Sequence, residues 1–179
     1  HLMSDMFAAA EIALAKLPMG RMMAAAPDIS PDILVGGLGL GYTADAVLAY
    51  DHVRSLTLVE FLAPIIEWHK AGILPLGAKL AESRRCHFIE GDFFALALSD
   101  AGFDVGQPGR RFDGIFLDID HSPDFHLNPS HAALYSDDGL ASLTRHLTGQ
   151  GIFALWSNDP PDEAFLSRLG PHFAAASAE

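Results

Sequence analysis

Five short apolar runs, each followed by a segment of helical character, constrain this chain more than any other feature. The runs are Ile33-Leu34-Val35, Ser55-Leu56-Thr57-Leu58-Val59, Cys86-His87-Phe88-Ile89, Arg111 to Leu117, and Gly151 to Trp156. Between and after them lie helix-like segments at Thr43 to Tyr50, Ala63 to Lys70, Phe93 to Leu98, Ser136 to His146 and Asp162 to Leu169. Pro64 sits in a first turn, where its missing N–H costs nothing, and Ser136 is placed as an N-cap. Strands apolar on both faces and separated by helices are buried parallel strands joined by right-handed crossovers. The expected fold is therefore a doubly wound, mostly parallel α/β sheet with helices on both faces. Ahead of it, Met3 to Leu17 reads as a short helix ending by Pro18 and Gly20, and Asp28 to Asp32 as a turn.

Composition narrows the partners. With 11 Lys+Arg against 23 Asp+Glu the formal charge is −12, so runs of phosphate on nucleic acid or an anionic membrane are disfavoured. A single cysteine, Cys86, excludes an internal disulfide and reads as a small buried side chain at a strand start. No apolar stretch approaches the length of a membrane span, and His1-Leu2-Met3 lacks the grammar of a signal peptide. A cytoplasmic protein is expected. The start on His rather than Met reads as a processed or trimmed end. Residues 1–31 are accordingly expected to be a helix and linker left from a longer N-terminal region, with 32–179 as the ligand-binding domain.

In a sheet of this kind ligands bind beyond the carboxyl ends of the strands, so the residues that follow each strand matter most. After the first comes Gly36-Gly37-Leu38-Gly39-Leu40-Gly41, where Gly37, Gly39 and Gly41 permit a tight turn and close approach to a nucleoside. After the second comes Glu60, nineteen residues beyond Gly41, placed to accept from both ribose hydroxyls. After the third, Asp92 can accept from an adenine amine or cap the next helix, and Phe93 can stack on the base. After the fourth comes Asp118-Ile119-Asp120-His121-Ser122-Pro123. A dinucleotide fits poorly, because the third glycine arrives one residue early and no basic residue flanks the turn. An adenosyl sulfonium, which carries no phosphate, suits glycines ringed by carboxylates. S-adenosylmethionine or its decarboxylated form is the expected co-substrate.

These residues, with Leu58-Val59-Glu60, Glu90-Gly91-Asp92, Phe112-Asp113-Gly114-Ile115-Phe116-Leu117-Asp118 and Leu134-Tyr135-Ser136, resemble the spermidine synthase (polyamine aminopropyltransferase) family. They are most similar to its bacterial spermidine synthase-like branch, and Leu2-Met3-Ser4 leading into Ala9-Ala10-Glu11 resembles the segment before the core in that branch. The resemblance implies a Rossmann-like methyltransferase fold and transfer of an aminopropyl group to a small amine. It further implies a nucleoside lined by Gly37, Gly39 and Gly41, ribose on Glu60, adenine on Asp92, and Asp118 helping to deprotonate the attacking amine. A homodimer is expected by the same analogy. Two departures stand out. Leu40 occupies the position of the aspartate that grips the aminopropyl amine, and the second acid of the loop after strand four is displaced to Asp120 or replaced by His121.

Methyl transfer on the same core is the alternative that Leu40 favours, and a non-catalytic nucleoside-binding protein is a third. His121, His126 and His131 lie beside Asp118, Asp120 and Asp124, but their five-residue spacing across Pro123 and Pro129 suits neither a helix nor a strand face. They read as loop histidines, with His121 the candidate for assisting the base, and no metal is expected. Trp68 and Trp156 read as core aromatics, Trp156 with an equal claim to a pocket floor.

Overall fold

The computed structural model describes residues 8–104 and 106–178. Its elements in chain order are α1 (Ala8–Ala25), β1 (Asp32–Gly36), α2 (Tyr42–Leu48), β2 (Ser55–Glu60), α3 (Ala63–Lys70), α4 (Gly77–Glu82), β3 (Cys86–Glu90), α5 (Phe93–Leu98), β4 (Phe112–Leu117), α6 (Asp137–Thr144), β5 (Leu147–Leu155) and α7 (Glu163–Leu169). A short 3-10 turn, Pro129–Ala133, precedes α6. The five strands pair in parallel in the order β3-β2-β1-β4-β5. The chain order reverses between β1 and β4, so the crevice for a ligand opens beyond their carboxyl ends.

Side chains alternate across the strands, and the sheet has a core on each face. Ile33, Val35, Leu56, Leu58 and Phe116 pack with α1 to α4 through Leu14, Met19, Val47, Ile66 and Leu80. Leu34, Val59, Ile115 and Leu117 pack the other way, against Phe93 and Phe94 of α5, Leu140 of α6 and Phe165 of α7. The expected doubly wound α/β architecture is the one observed. Caps close the helices as the residue types require. Ser136 accepts from the Gly139 amide, and Asp162 from the Ala164 amide.

Three local expectations change. The first helix does not end at Pro18 but runs through Pro18 and Gly20 to Ala25, with Leu14, Ala15, Pro18, Met19 and Met22 buried. Burial of this face against the sheet outweighs the lost N–H of a proline, a case of packing overriding propensity. Phe7 and the Leu2-Met3-Ser4 stretch lie outside the described residues. Trp68 is not a core residue but is 45% exposed on α3, whose inner face is taken by Ile65, Ile66 and His69. Helix α4 has no counterpart in the sequence reading, because six residues of Gly77-Ala78-Lys79-Leu80-Ala81-Glu82 carry too little periodicity to announce a helix. Among the described residues no helix is long and apolar enough to cross a membrane. Cys86 is buried at the start of β3, and burial pushes its thiol up to about 12.

Helix α1 is held to the fold by side chains in the same core as β1 and β2. Met19 is fully buried there. Met19→Ala is expected to cost about 2–5 kcal/mol, read as a lowered denaturant midpoint. An unchanged midpoint would mean that α1 contributes little to the folded state.

Candidate functional site

Strand register gathers the candidate residues. Gly36 pairs with Val59 on one side and Leu117 on the other, Val59 with Ile89, and Leu117 with Leu155. The residues immediately beyond that row, Glu90, Glu60, Gly37, Asp118 and Trp156, therefore line one edge of the sheet. Within it the glycine turn is pinned from both sides. The Gly37 amide donates to the Val59 carbonyl at 2.9 Å, and the Asp118 amide donates to the Gly36 carbonyl at 2.8 Å.

The three glycines of the turn differ in their surroundings. At Gly37, with φ +92°, a Cβ would lie 2.2 Å from the Asp118 carbonyl oxygen. At Gly41 it would meet Leu80 and His69. Only Gly39 of the three faces open space. Gly37 and Gly41 are thus required by the protein's own packing, and Gly39 leaves room for a ligand. His69, unassigned by the sequence reading, is fully buried with Nε2 3.0 Å from the Gly39 carbonyl. A carbonyl only accepts, so Nε2 carries the hydrogen and the buried Nδ1, which has no partner, stays bare. The imidazole of His69 thus props the turn from α3.

Glu60 bridges the turn and its own loop. Oε2 accepts from the Leu38 amide at 3.1 Å and Oε1 from the Leu62 amide at 2.8 Å. Each oxygen keeps a further acceptor site, which leaves the carboxylate able to take two hydroxyls. Asp92 caps α5, with Oδ1 accepting from the Phe94 and Ala95 amides at 2.9 and 3.2 Å. Oδ2 is not used by the cap, so the two readings of this residue are compatible. Phe93 is not at the ligand edge. It is 2% exposed, its ring lies under Gly36 and against Phe103, and it has no free face to stack on a base. The cap at Asp92 fixes the start of α5, and the first helical side chain then turns into the core. Phe61, which directly follows Glu60, is 69% exposed, and nothing in the sequence separates it from the helix after it.

Asp118 is half-buried, with Oδ2 2.9 Å from the Thr43 hydroxyl. Burial pushes its carboxyl above the ordinary carboxylate range, more than the Thr43 bond lowers it. The same hydroxyl lies 3.2 Å from the Glu11 backbone carbonyl, so α1 is tied to the end of β4. Glu11 itself is pushed up to about 7, by burial and then by the charge of Asp118. Neither Glu11 nor Thr43 was singled out as a site residue. One is on a helix before the sheet and the other is a small hydroxyl in α2, and only tertiary packing brings them together.

Asp120 and His121 fall differently from expectation. Asp120 is 4% exposed and already carries three partners: the Leu127 amide at 2.9 Å, His131 Nδ1 at 2.8 Å and the Tyr135 hydroxyl at 3.0 Å. A carboxylate so enclosed organises the loop after β4 and is not presented to a substrate. His131 in turn stacks on Phe94 at 3.6 Å between ring centroids, which joins that loop to α5. His121 stacks on the exposed Phe125, and its carbonyl accepts from the Asn158 amide. His126 stacks on Tyr135. The three histidines thus have three different partners, and among the described residues no group of three His, Cys, Asp or Glu side chains converges on a point.

A cavity of about 330 Å³ lies away from the glycine turn. It lies between α1 and β5, lined by Ala13, Leu17, Pro123, Phe153, Trp156 and Phe165 among others. Trp156 is half-buried and forms part of its wall. The cavity lining includes neither Gly39, Glu60 nor Asp118. The carboxylates of Glu60 and Asp118 lie instead at the strand ends, where ligands bind in folds of this kind.

A five-stranded parallel sheet in this order, with the glycine turn at its switch point, defines a Rossmann-like fold of the methyltransferase type. The solved structures it is similar to include a spermidine synthase in complex with the transition-state analogue AdoDATO (TM-score 0.66, 19% identity, covering 92% of this chain and 52% of that one). Spermidine synthase from Thermotoga maritima is similar too (TM-score 0.63, 20% identity, 91% and 49%). So is human methyltransferase-like protein 13 in complex with SAH (TM-score 0.53, 22% identity, 80% and 60%). The chain spans about half the length of the spermidine synthases it matches. No protein-family model and no curated protein sequence matches it.

Two outcomes test the electrostatics of the site. A folded-state pKa of about 7 for Glu11, above its ordinary 4.5, makes the folded protein bind more protons, so its contribution to stability is present at low pH. That contribution is lost as pH rises from about 4.5 to 7, and Glu11→Gln should flatten the pH dependence of the denaturant midpoint over this window. Asp120→Ala strands the Tyr135 hydroxyl and His131, and is expected to cost roughly 1–3 kcal/mol of stability per stranded group. Methylthioadenosine affinity, measured by calorimetry, should survive that change. Loss of nucleoside binding without loss of stability would put Asp120 back at the ligand.

Proposed function

We propose that this protein is a transferase that binds an S-adenosylmethionine-type donor at the glycine turn and moves an aminopropyl group from the decarboxylated donor to a small amine. The observation that carries this reading is the pair of carboxylates, Glu60 and Asp118, set in register on either side of a turn that has no basic residue between Gly36 and Gly41. Such a turn lacks the charge to hold a pyrophosphate and suits an adenosyl sulfonium. The likeness in fold to spermidine synthases supports the same class of ligand.

In this reading Gly39 gives the nucleoside its close approach, between Gly37 and Gly41 on the same turn. The ribose hydroxyls donate to the free lone pairs of Glu60. The adenine amine donates to Asp92 Oδ2, and Phe61, exposed beside Glu60, covers the base in place of Phe93. Asp118 faces the reacting end. An ammonium has no lone pair with which to attack, so a carboxylate that binds the cation and helps remove its proton is the group the chemistry needs. The leaving group is a neutral thioether and needs no acid. His121, beside the reacting loop, is a candidate for acceptor contact only.

Methyl transfer is the second reading, and Leu40 favours it. A donor that keeps its carboxylate tolerates a neutral residue at a position where an aspartate would grip the aminopropyl amine. Titration calorimetry with S-adenosylmethionine, its decarboxylated form and methylthioadenosine separates these readings. The aminopropyl reading expects tightest binding of the decarboxylated donor and product formation with putrescine. Tighter binding of S-adenosylmethionine would transfer the case to methylation, and failure of all three to bind would remove the adenosyl site. Asp118→Asn should lower turnover about 10²–10⁴-fold while leaving methylthioadenosine affinity unchanged. Full turnover in that variant would take Asp118 out of the mechanism.

A further inference from the structure

The two edges of the sheet are finished differently. Strand β3, at one edge, exposes His87 and Glu90, polar groups that discourage pairing with a further strand. Strand β5, at the other, has no charged residue over Leu147–Leu155, whereas β1, β2, β3 and β4 each contain an acid. It is an edge strand with the composition of a central one.

Its outer side carries unused backbone groups. The Trp156 amide donates to the Leu117 carbonyl, and Leu117 is in register with Leu155, so Ile152, Ala154 and Trp156 turn their backbone groups toward β4. Phe153 and Leu155 therefore point their amides and carbonyls away from the sheet, and no hydrogen bond among the described residues reaches them. The cavity of about 330 Å³ runs along this side. It is lined by every residue from Ile152 to Trp156, by Leu17 of α1 from one face and by Phe165 of α7 from the other. A slot with unpaired backbone on its floor and apolar helices as its walls is the form that takes an added strand. The C-terminal segment crosses it loosely. Phe173 stacks on Phe153, and Ser177 accepts an exposed hydrogen bond from Arg21 of α1, with no backbone bond to β5 among the described residues.

The strand that fits this slot is β5 itself. An antiparallel copy about a two-fold axis at Ala154 sets Phe153 of each chain opposite Leu155 of the other, and all their outward amides and carbonyls pair. The same register sets Ile152 opposite Trp156 and Ala154 opposite Ala154. Bulky side chains then face bulky ones on both faces of the sheet, and the smallest pair meets on the axis, where the strands lie nearest. Charge selects the same orientation. Asp159 and Asp162 lie beyond the carboxyl end of β5, while Arg145 and Arg111 lie before the amino ends of β5 and β4, which pair at Leu147 and Phe112. Antiparallel strands bring those acids toward the other copy's arginines, whereas parallel strands would set acids on acids in a chain of net charge −12. Pro160 and Pro161 end the ladder just beyond the paired stretch.

We propose that two copies of this chain pair along β5, antiparallel about a two-fold axis at Ala154, and join their five-stranded sheets into one. The C-terminal segment swings aside to let them meet. The interface is isologous and closes at two copies. It is independent of the transferase reading.

The test is sedimentation velocity of the full chain across protein concentration, which should show a monomer–dimer equilibrium. Ala154→Cys should cross-link into a disulfide dimer under mild oxidation, because facing residues of a non-hydrogen-bonded antiparallel pair stand about 4.5 Å apart at Cα, within disulfide range. Gln150→Cys, on the same strand but away from the axis, should not, and Cys86 is buried in both. Leu155→Pro removes an outward N–H without touching a bond to β4, and should weaken the dimer about 10-fold or more. Should that variant lose its fold, hydrogen exchange of the wild type takes its place. The Phe153 and Leu155 amides should exchange more slowly as protein concentration rises. Truncation after Phe173 should strengthen the dimer, and a weaker one would overturn the proposal by showing that the segment itself joins the copies. A monomer at all concentrations, exchange independent of concentration, or a dimer that Ala154→Cys does not cross-link would each overturn it.

Discussion

The hydrogen bond from the Asp118 amide to the Gly36 carbonyl, at the seam where β1 meets β4, is the constraint on which the site depends. It brings the end of β4 so close to the glycine turn that Gly37 has no room for a side chain beneath the Asp118 carbonyl. With the Gly37 amide held by Val59, three strand ends are locked at one level. Asp118, Glu60 and the turn are therefore not independent placements. Each follows from a parallel register that is buried on both faces and cannot slip without moving its side chains to the wrong core.

Around this seam the protein adds supports from elements that are not strands. His69 of α3 holds the Gly39 carbonyl. The hub formed by Asp120, with His131 stacked on Phe94, ties the loop after β4 to α5. Thr43 of α2 links α1 to Asp118. His69 and Thr43 find their partners 30 or more residues away and Asp120 within 15, and each polar group so satisfied is costly to disrupt.

The electrostatics run in the same direction. Glu60 and Asp92 have their backbone contacts supplied and keep acceptor capacity, whereas burial raises both Glu11 and Asp118, Glu11 further through the charge of Asp118. The negative charge of the chain as a whole is spread more widely than this. Asp32, for example, is paired with Arg54 and Arg110 at the opposite end of the sheet, where it steadies the start of β1.

The strand and helix rhythm, the order of the elements and the sequence positions of Gly37, Glu60, Asp92 and Asp118 were all legible in the sequence. Buried parallel strands are nearly continuous apolar runs, and ligand residues in such folds directly follow them. What the sequence left open depended on which side chains meet. The same local pattern that offered Phe93 and Asp120 as ligand residues is satisfied by a core aromatic and a buried hub, because the cap at Asp92 and the partners of Asp120 come from packing. Pro18 looked like a helix end, since local propensity cannot weigh the burial of Met19 and Met22 on either side. Glu11, Thr43 and His69 carry no signal of their own, and tertiary structure alone decided their place. Local chemistry sets what each strand end can offer, and long-range packing determines which of those offers face a ligand.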